Sequence, residues 1–236
     1  IEVEDGTEIA SAIVKFLKFK DGIDVVLYSD VPAGSGLGAS SSLAVNLVNT
    51  LTTLRGKKLT NVKIAETAFK VERTILKWSL GKQDEYLTST GGFNFLEFTK
   101  NKVKVKPIRM NNVARSELDD NLLLFFVGLQ RNSSNILSNQ IQNIVQKNED
   151  TIKSLKYVKE LTLEMYDSLH HSDITKFGEL LHKGWMAKKN FSKDVSNKKI
   201  DKMYDSALKF GALGGKLTGA GGGGHLLLYC EKHKQT

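Results

Sequence analysis

Three glycines at alternating positions, Gly34, Gly36 and Gly38, stand just before the serine run at positions 40–42 and a helical pattern. Glycine in a loop costs conformational entropy on folding, so this spacing indicates a backbone that must hold something. The unpaired amides and the dipole at the start of a helix attract anions, and glycines let a ligand approach the backbone closely. The stretch therefore predicts a phosphate-binding loop.

Two common phosphate-loop patterns do not fit. The pattern G-x-x-x-x-G-K-[ST] is met by neither glycine-rich segment, because Lys216 in the second one is followed by Leu217 rather than by Ser or Thr. The dinucleotide pattern G-x-G-x-x-G/A is matched by Gly34, Gly36 and Ala39. It requires a second strand that ends in an acid about 20 residues further on. A second helix stands in that place, so the dinucleotide interpretation fails.

A carboxylate falls in the apolar stripe of that second helix, which is predicted over residues 61–77 after the N-cap residue Thr60. At about 100° per residue, Glu72 lies on the same face as Ala68 and Phe69. An inward carboxylate is costly unless it is paired or bound to a metal. Three explanations stay open: a metal ligand, an ion pair with an interior Lys or Arg, or a helix rotated enough to expose the side chain.

Periodicity and turn residues predict the elements that position these groups. Residues 23–30 are predicted as a strand, 40–54 as a helix, 91–98 and 102–108 as a hairpin, and 121–128 as a buried strand. Residues 132–210 are predicted as mostly helical, with breaks at positions 148–150, 172–173 and 194–197. A second glycine-rich segment, GALGGKLTGAGGGG, then leads into an apolar strand.

The bulk composition narrows the class of ligand. The 236-residue chain carries a net charge of +8 and 40% hydrophobic residues, which is ordinary for a globular protein. A basic balance suits anionic ligands, but the lysines are scattered and no nucleic-acid motif is present. No apolar run approaches the roughly 20 residues of a membrane helix. A single cysteine, Cys230, excludes an internal disulfide. We therefore expect a small-molecule ligand and a cytoplasmic protein.

Two motifs resemble those of the GHMP small-molecule kinases. Residues 32–41 follow the pattern P-x-x-x-G-L-G-x-S-S, and residues 216–224 follow the longer pattern K-x-T-G-A-G-G-G-G. The resemblance implies an α+β, two-domain GHMP kinase fold. A nucleotide-binding ribosomal-protein-S5-like α/β domain, lacking its first strands, would cover residues 1–112. A ferredoxin-like domain with extra helices would cover residues 113–236.

The resemblance also implies roles for individual residues. Asp84, which precedes a G-G-F-N strand, would be the catalytic residue that accepts the proton of a substrate hydroxyl or orients it. Ser40 and Glu72 would coordinate Mg²⁺. The residues expected to bind the phosphates of ATP are Pro32, Gly34, Ser35, Gly36, Leu37, Gly38, Ala39, Ser40 and Ser41. Ala39 replaces the usual serine, which leaves the backbone cradle intact but removes a hydroxyl. Glu85 is expected to face away from the site in an extended segment.

Further residues are expected to contact the substrate: Lys82, Arg131, Lys188, Gly221, Gly222 and Gly223, with His182 and Lys183 as additional phosphate contacts. Lys82 would also keep Asp84 ionised if both side chains face the site. Trp185 is more typical of a core residue than of a sugar platform.

Finer similarities to the branch that acts on heptose 7-phosphate imply phosphorylation of the C1 hydroxyl by ATP, for nucleotide-sugar and surface-glycan synthesis. The alternative is a truncated, nucleotide-binding relative without kinase activity, because no G-G-G-T-D-like sugar-binding segment precedes Ile23. A weaker alternative is a dinucleotide-dependent oxidoreductase. The sequence predicts no nucleic-acid or membrane partner and leaves the oligomeric state open.

Overall fold

The computed structural model describes residues 8–19, 22–32, 34–100, 102–128 and 133–235. The chain divides into two compact units, which we call unit 1 (Ile1–Ala33 with Gly38–Pro107) and unit 2 (Gly34–Leu37 with Ile108–Thr236). The tip of the first glycine-rich loop therefore belongs to unit 2, whereas the helix that follows it belongs to unit 1. Among the described residues, no helix combines the length and the apolar character needed to cross a membrane.

Among the described residues of unit 1, the regular elements are helices and one hairpin. Its elements are α1 (Glu8–Phe16), α2 (Ala39–Leu54), α3 (Asn61–Lys70), a π-helical segment (Val71–Ile75), α4 (Gln83–Thr90), β1 (Asn94–Phe98) and β2 (Val103–Pro107). The apolar stripe of α2 packs on Ile13 and Ile64 in the core, as its spacing predicted, although Leu54 at its end is exposed. Thr60 caps α3 by accepting a hydrogen bond from the Lys63 amide, and β1 pairs with β2 in the predicted antiparallel hairpin.

The predicted strand at residues 23–30 is wrong, because the segment forms no strand. Val26 and Tyr28 are 88% and 96% exposed. β-Branched residues favour an extended backbone, but a strand also needs a neighbour to which its amides and carbonyls can bond. None of the described strands pairs with this segment.

Unit 2 combines helices with a three-stranded antiparallel sheet in the order β3-β5-β4 among the described residues. Its elements are α5 (Asn112–Asn121), β3 (Leu122–Gly128), α6 (Ser133–Val145), α7 (Glu149–His170), α8 (Ile174–Lys188), α9 (Lys198–Lys209), β4 (Gly214–Leu217), β5 (Gly224–Tyr229) and a short 3₁₀ turn (Lys232–Lys234). Leu122 lies opposite Tyr229, and Leu217 lies opposite Leu226. The second glycine-rich segment is thus a hairpin rather than a plain loop.

The strand predicted at residues 121–128 is confirmed, but the prediction that it is buried is wrong. Leu124, Phe125 and Phe126 are about half exposed. β3 lies at an edge of the three-stranded sheet, so only part of its surface is covered. A continuous apolar run is typical of strands that are covered on both faces, and it does not report a strand's place in the sheet.

The predicted breaks at 172–173 and 194–197 are confirmed, and the break predicted at 148–150 is shorter because α7 already begins at Glu149. Each of the three contains an N-cap. Asn148, Asp173 and Asn197 accept hydrogen bonds from the amides of Thr151, Lys176 and Ile200, at 3.0, 3.1 and 3.1 Å. Side-chain oxygens at these positions satisfy amides that a helix start leaves unpaired. The polar stretch 111–120 contains most of α5.

Helix α8 approaches the sheet so closely that Gly178 has no room for a side chain. A Cβ atom there would collide with the fully buried ring of Tyr229. We expect Gly178→Ala to destabilise the protein by about 1–3 kcal/mol, the usual cost of overpacking. The measurement is the free energy of unfolding in urea.

Gly184, in the same helix, is the matched control because a Cβ atom there meets open space. We expect Gly184→Ala to stabilise the protein by up to about 1 kcal/mol, since alanine favours the helix over glycine. Equal effects of the two substitutions would contradict the close packing of α8 on the sheet.

Candidate active site

The backbone conformation of the first loop explains why its glycines alternate with other residues. Gly34, Gly36 and Gly38 have φ angles of 76°, 74° and 76°, a region that L side chains disfavour. The residues between them, Ser35 and Leu37, do not have positive φ. Successive residues of opposite hand turn their amides toward a common concave side, and such a concavity binds anions. The observed backbone thus explains the spacing of every second residue.

The start of α2 has no side-chain cap. Gly38 is the N-cap residue, and the first hydrogen bond of the helix runs from the Ser42 amide to the Gly38 carbonyl at 2.9 Å. The serines that follow therefore do not serve as N-caps. Ser40 instead donates its hydroxyl to Oε1 of Glu72 at 2.9 Å. The first-turn amides and the positive end of the helix dipole are left for an anion.

Glu72 faces inward, as its helical position predicted, and it is 1% exposed. It lies in the π-helical segment, and its side chain is hydrogen-bonded to Glu85 as well as to Ser40. Asp84, the second residue of α4, lies close to the start of α2: a Cβ atom on Gly38 would be 3.8 Å from the Asp84 carboxylate. The structure therefore brings Ser40, Glu72 and Asp84 together within unit 1.

The expectation for Glu85 is wrong. Residues 83–90 form helix α4 rather than an extended segment, so Glu85 does not point away from Asp84 as it would in a strand. Glu85 is 0% exposed, and its carboxyl group is hydrogen-bonded to that of Glu72. Burial, together with the nearby charges of Glu72 and Asp84 and the hydrogen bond to Glu72, raises its pKa to about 8. Glu85 is therefore protonated at neutral pH.

The pKa of Glu72 is also raised, mainly by burial. Its hydrogen bonds with Ser40 and Glu85 lower the pKa, and the charge of Asp84 raises it. Among the described residues, none of the ion pairs involves Glu72, Asp84 or Glu85. Lys82 does not reach them either, since its ammonium lies 5.7 Å from the ring centroid of Phe98. Of the three explanations for Glu72, the ion pair and the exposed helix face are thus excluded.

The ligand set fits Mg²⁺. The Ser40 hydroxyl and the Glu72 carboxylate are hard oxygen donors. Mg²⁺ usually takes one or two protein oxygens and completes its shell with water and phosphate oxygens. In the part of the chain that the structure describes, no three His, Cys, Asp or Glu residues form a complete metal cage. A cation held here would therefore share its coordination with a phosphate.

In unit 2, the tip of the first glycine-rich loop packs on the hairpin of the second. His225 donates from Nδ1 to the Ser35 carbonyl at 2.8 Å. A Cβ atom on Gly36 would lie 2.9 Å from Oγ1 of Thr218, so only glycine permits this approach. Sequence reasoning missed His225 and Thr218 as partners of the loop. The available signal was their position, since Thr218 lies within the second glycine motif and His225 directly follows it.

The second glycine-rich loop is fixed by its own unit. The amide of Gly222 donates to the Val195 carbonyl at 2.9 Å, and a Cβ atom on Gly221 would lie 2.7 Å from the same oxygen. Lys188 donates to the Gly219 carbonyl at 2.6 Å. The Gly222 amide and the Lys188 ammonium therefore have structural partners, which a substrate would have to share or displace.

The other predicted site residues are distributed as follows. Pro32 and Leu37 are exposed, Ser35 and Ser41 are buried, Ala39 is partly buried in the first turn of α2, and Gly223 is buried in the second loop. Arg131 lies outside the described residues.

The residues predicted on the later helix have different places. Nδ1 of His182 forms a hydrogen bond with the hydroxyl of Tyr204 at 2.8 Å, and Lys183 is exposed. Trp185 is fully buried, which confirms its interpretation as a core residue.

Comparisons with known proteins agree with these features. Residues 7–92 match the family description of the GHMP kinases N terminal domain, and residues 165–235 match that of the GHMP kinases C terminal domain. The chain is 34% identical over 229 residues to D-glycero-alpha-D-manno-heptose 7-phosphate kinase of Campylobacter jejuni, covering 96% of this chain and 67% of that protein.

Solved structures show the same fold. A D-glycero-D-manno-heptose 1-phosphate kinase from Bacteroides thetaiotaomicron superposes with a TM-score of 0.76 at 24% identity, covering 100% of this chain and 67% of that one. Galactokinase from Lactococcus lactis, complexed with galactose, gives a TM-score of 0.72 at 18% identity, covering 98% and 69%.

The chain therefore belongs to the GHMP kinase family. The predicted two-domain α+β fold is confirmed, and so is the predicted enzyme class, a phosphotransferase with a hydroxyl group as acceptor.

The raised pKa of Glu85 predicts a pH-dependent stability. The folded state holds this proton up to about pH 8, whereas the unfolded chain releases it near 4.5. The folded state binds more protons between these values, so the free energy of unfolding falls as the pH rises from about 5 to 8. Glu85→Gln cannot ionise. We expect its stability relative to wild type to increase with pH across this range, by at most about 1.4 kcal/mol per pH unit.

The measurement is urea unfolding at pH 5.5 and pH 8 in buffer that contains EDTA. Glu66→Gln, on the exposed face of α3, is the control and should show no such trend. If the stability difference between Glu85→Gln and wild type were independent of pH, the buried proton on Glu85 would be ruled out.

Proposed function

We propose that the protein is an ATP-dependent sugar kinase. The observation that supports this most directly is the position of Glu72 and Asp84 beside the uncapped start of α2, with Ser40 bonded to Glu72 at 2.9 Å. A phosphoryl transferase needs a cradle for the phosphates, a site for magnesium, and a group that positions the attacking hydroxyl. Unit 1 offers a candidate for each.

The phosphates of ATP would bind to the amides of the first glycine-rich loop and of the first turn of α2. Ser40 and the Glu72 carboxylate would hold Mg²⁺, which would neutralise the charge that develops on the phosphates. Both protein ligands are already oriented by their mutual hydrogen bond. The protonated Glu85 beneath them would limit the negative charge of the cluster, so that Glu72 remains the carboxylate that faces the metal.

Asp84 would act on the substrate hydroxyl. Its carboxylate lies against the backbone of Gly38, at the start of the helix whose first turn would bind the phosphates. Gln83 donates to Oδ1 of Asp84 at 3.4 Å, a long hydrogen bond that leaves Oδ2 for the substrate. From this place the carboxylate would accept the proton of the hydroxyl or align it for attack on the γ-phosphate.

The proposed substrate is a heptose 7-phosphate, with the C1 hydroxyl as acceptor. The support is the name of the relative that is 34% identical over 96% of this chain, together with the net charge of +8, which favours an anionic substrate. The product would feed nucleotide-sugar and surface-glycan synthesis in the cytoplasm. Lys82, Lys188 and Arg131 stay candidates for contacts to the substrate.

The test of activity is ADP release by the natural full-length protein with ATP, Mg²⁺ and a panel of sugars and sugar phosphates. We expect turnover that is fastest with a heptose 7-phosphate. Binding of ATP without turnover of any sugar would identify a nucleotide-binding relative that is not a kinase. Turnover of mevalonate or galactose instead would keep the kinase and overturn the proposed substrate.

Asp84→Asn should lower kcat by about 10²–10⁴-fold, the usual contribution of a positioned general base. The KM for ATP should change by less than about threefold, because Asp84 acts on the hydroxyl rather than on the nucleotide. Asp119→Asn, an exposed residue of α5, is the control. A large rise in the KM for ATP with unchanged kcat would place Asp84 on the nucleotide instead.

Ser40→Ala and Glu72→Gln should each weaken the apparent affinity for Mg²⁺. We expect the Mg²⁺ concentration for half-maximal rate to rise about tenfold or more, since each removes one of two protein ligands. Ser42→Ala, two residues further along the same helix, should not change it. A normal Mg²⁺ dependence in both site variants would contradict the assignment.

A further inference from the structure

The side chain of His225 connects the two glycine-rich motifs of unit 2. His225 is the second residue of β5, and its Nδ1 lies 2.8 Å from the carbonyl oxygen of Ser35, 190 residues earlier in the chain. A carbonyl oxygen accepts hydrogen bonds and cannot donate, so Nδ1 must carry the proton. The imidazole is thus a donor to the backbone of the first glycine-rich loop.

This bond orients a second backbone group, because the Ser35 carbonyl shares its peptide plane with the Gly36 amide. A trans peptide is planar, and its C=O and N–H point in opposite directions. The described residues contain no cis peptide bond. A carbonyl turned toward His225 therefore turns the Gly36 N–H away from His225. Hydrogen bonding at the carbonyl also polarises the peptide, which makes that N–H a better donor.

The hairpin that carries His225 is itself held firmly. Thr218 donates to the His225 carbonyl from both its amide and its hydroxyl, at 2.8 and 3.1 Å. The ring centroids of Phe126 and His225 are 5.2 Å apart, so the Phe126 ring limits the rotation of the imidazole. A Cβ atom on Gly224 would lie 2.5 Å from the Ser35 carbonyl oxygen, so the loop and the hairpin backbone are already in contact. The donor and its acceptor therefore sit on a rigid support.

We propose that His225 is a positioning residue for the nucleotide. Through Nδ1 it holds the Ser35–Gly36 peptide in the orientation that presents the Gly36 amide to a phosphate oxygen. The inference rests on the proposed function, because it takes the first glycine-rich loop to bind the phosphates of ATP. It gives a residue outside both glycine motifs a part in nucleotide affinity, without contact to the reacting atoms.

The test compares two variants that differ in their ability to donate. His225→Phe keeps an aromatic ring beside Phe126 but has no donor. His225→Asn keeps an N–H donor near the position of Nδ1. We expect His225→Phe to raise the KM for ATP and the dissociation constant of ATP about tenfold, with kcat changed less than about threefold. The values for His225→Asn should lie within about threefold of wild type.

His171→Phe, an exposed histidine at the end of α7, is the matched control and should behave as wild type. Thermal unfolding identifies any variant that fails to fold, and His225→Leu then replaces His225→Phe as the variant without a donor. If the variants without a donor bind ATP as wild type does, or if His225→Asn is no better than they are, the proposal is wrong.

A measurement on the wild-type chain is independent of these substitutions. Nitrogen chemical shifts of His225 should show a proton on Nδ1, and a neutral imidazole protonated on Nε2 alone would overturn the proposal. These experiments also distinguish a failure of the His225 proposal from a failure of the proposed function. A wild-type protein that binds no ATP would overturn the nucleotide site itself, whereas wild-type binding with unaffected His225 variants would overturn only the role of His225.

Discussion

The burial of Glu72 beneath the first turn of α2 is the constraint on which the arrangement of unit 1 depends. Removing an ionised carboxylate from water costs several kcal/mol unless other groups compensate for it. Ser40 supplies one hydrogen bond, and the positive end of the α2 dipole lies at the same place. The charge of Asp84 adds to the cost, whereas the hydrogen bond with Glu85 reduces it. Conflicts of this kind between burial and charge are expected where a site serves a ligand rather than stability.

The helix that carries Glu72 changes its hydrogen bonding at that point. α3 continues directly into the π-helical segment Val71–Ile75, which is closed by a hydrogen bond from the Leu76 amide to the Val71 carbonyl at 3.1 Å. A π turn accommodates one more residue than an α turn, so it shifts the helix faces beyond it. A rotation of 100° per residue predicted the inward direction of Glu72 correctly, because this residue lies at the start of the π segment, before the helix faces shift. The same rotation could not describe the residues that follow.

Sequence reasoning succeeded where the determining chemistry is local. The predicted cap at Thr60 and the predicted break at Asn148 follow from side chains that bond to amides three residues away. It failed where the outcome depends on distant partners. Residues 23–30 have the composition of a strand but no partner among the described strands, and the exposure of β3 depends on its place at a sheet edge. Glu85 was misplaced because a run of polar residues after Gly81 gives no periodic signal that distinguishes a short helix from an extended segment.

Both glycine-rich motifs use glycine for its backbone angle, and the second also uses it for space. Positive φ angles occur at Gly34, Gly36 and Gly38 in the first loop and at Gly219, Gly221, Gly222 and Gly224 in the second. At Gly215, beside the second motif, a Cβ atom would collide with the Leu227 carbonyl. The two requirements meet where Gly36 contacts Thr218, since that residue needs both the backbone angle and the room. A loop held in this way before its ligand arrives loses less conformational entropy on binding. In the proposed phosphate site, the packing of one motif on the other would therefore add to the affinity by fixing the loop.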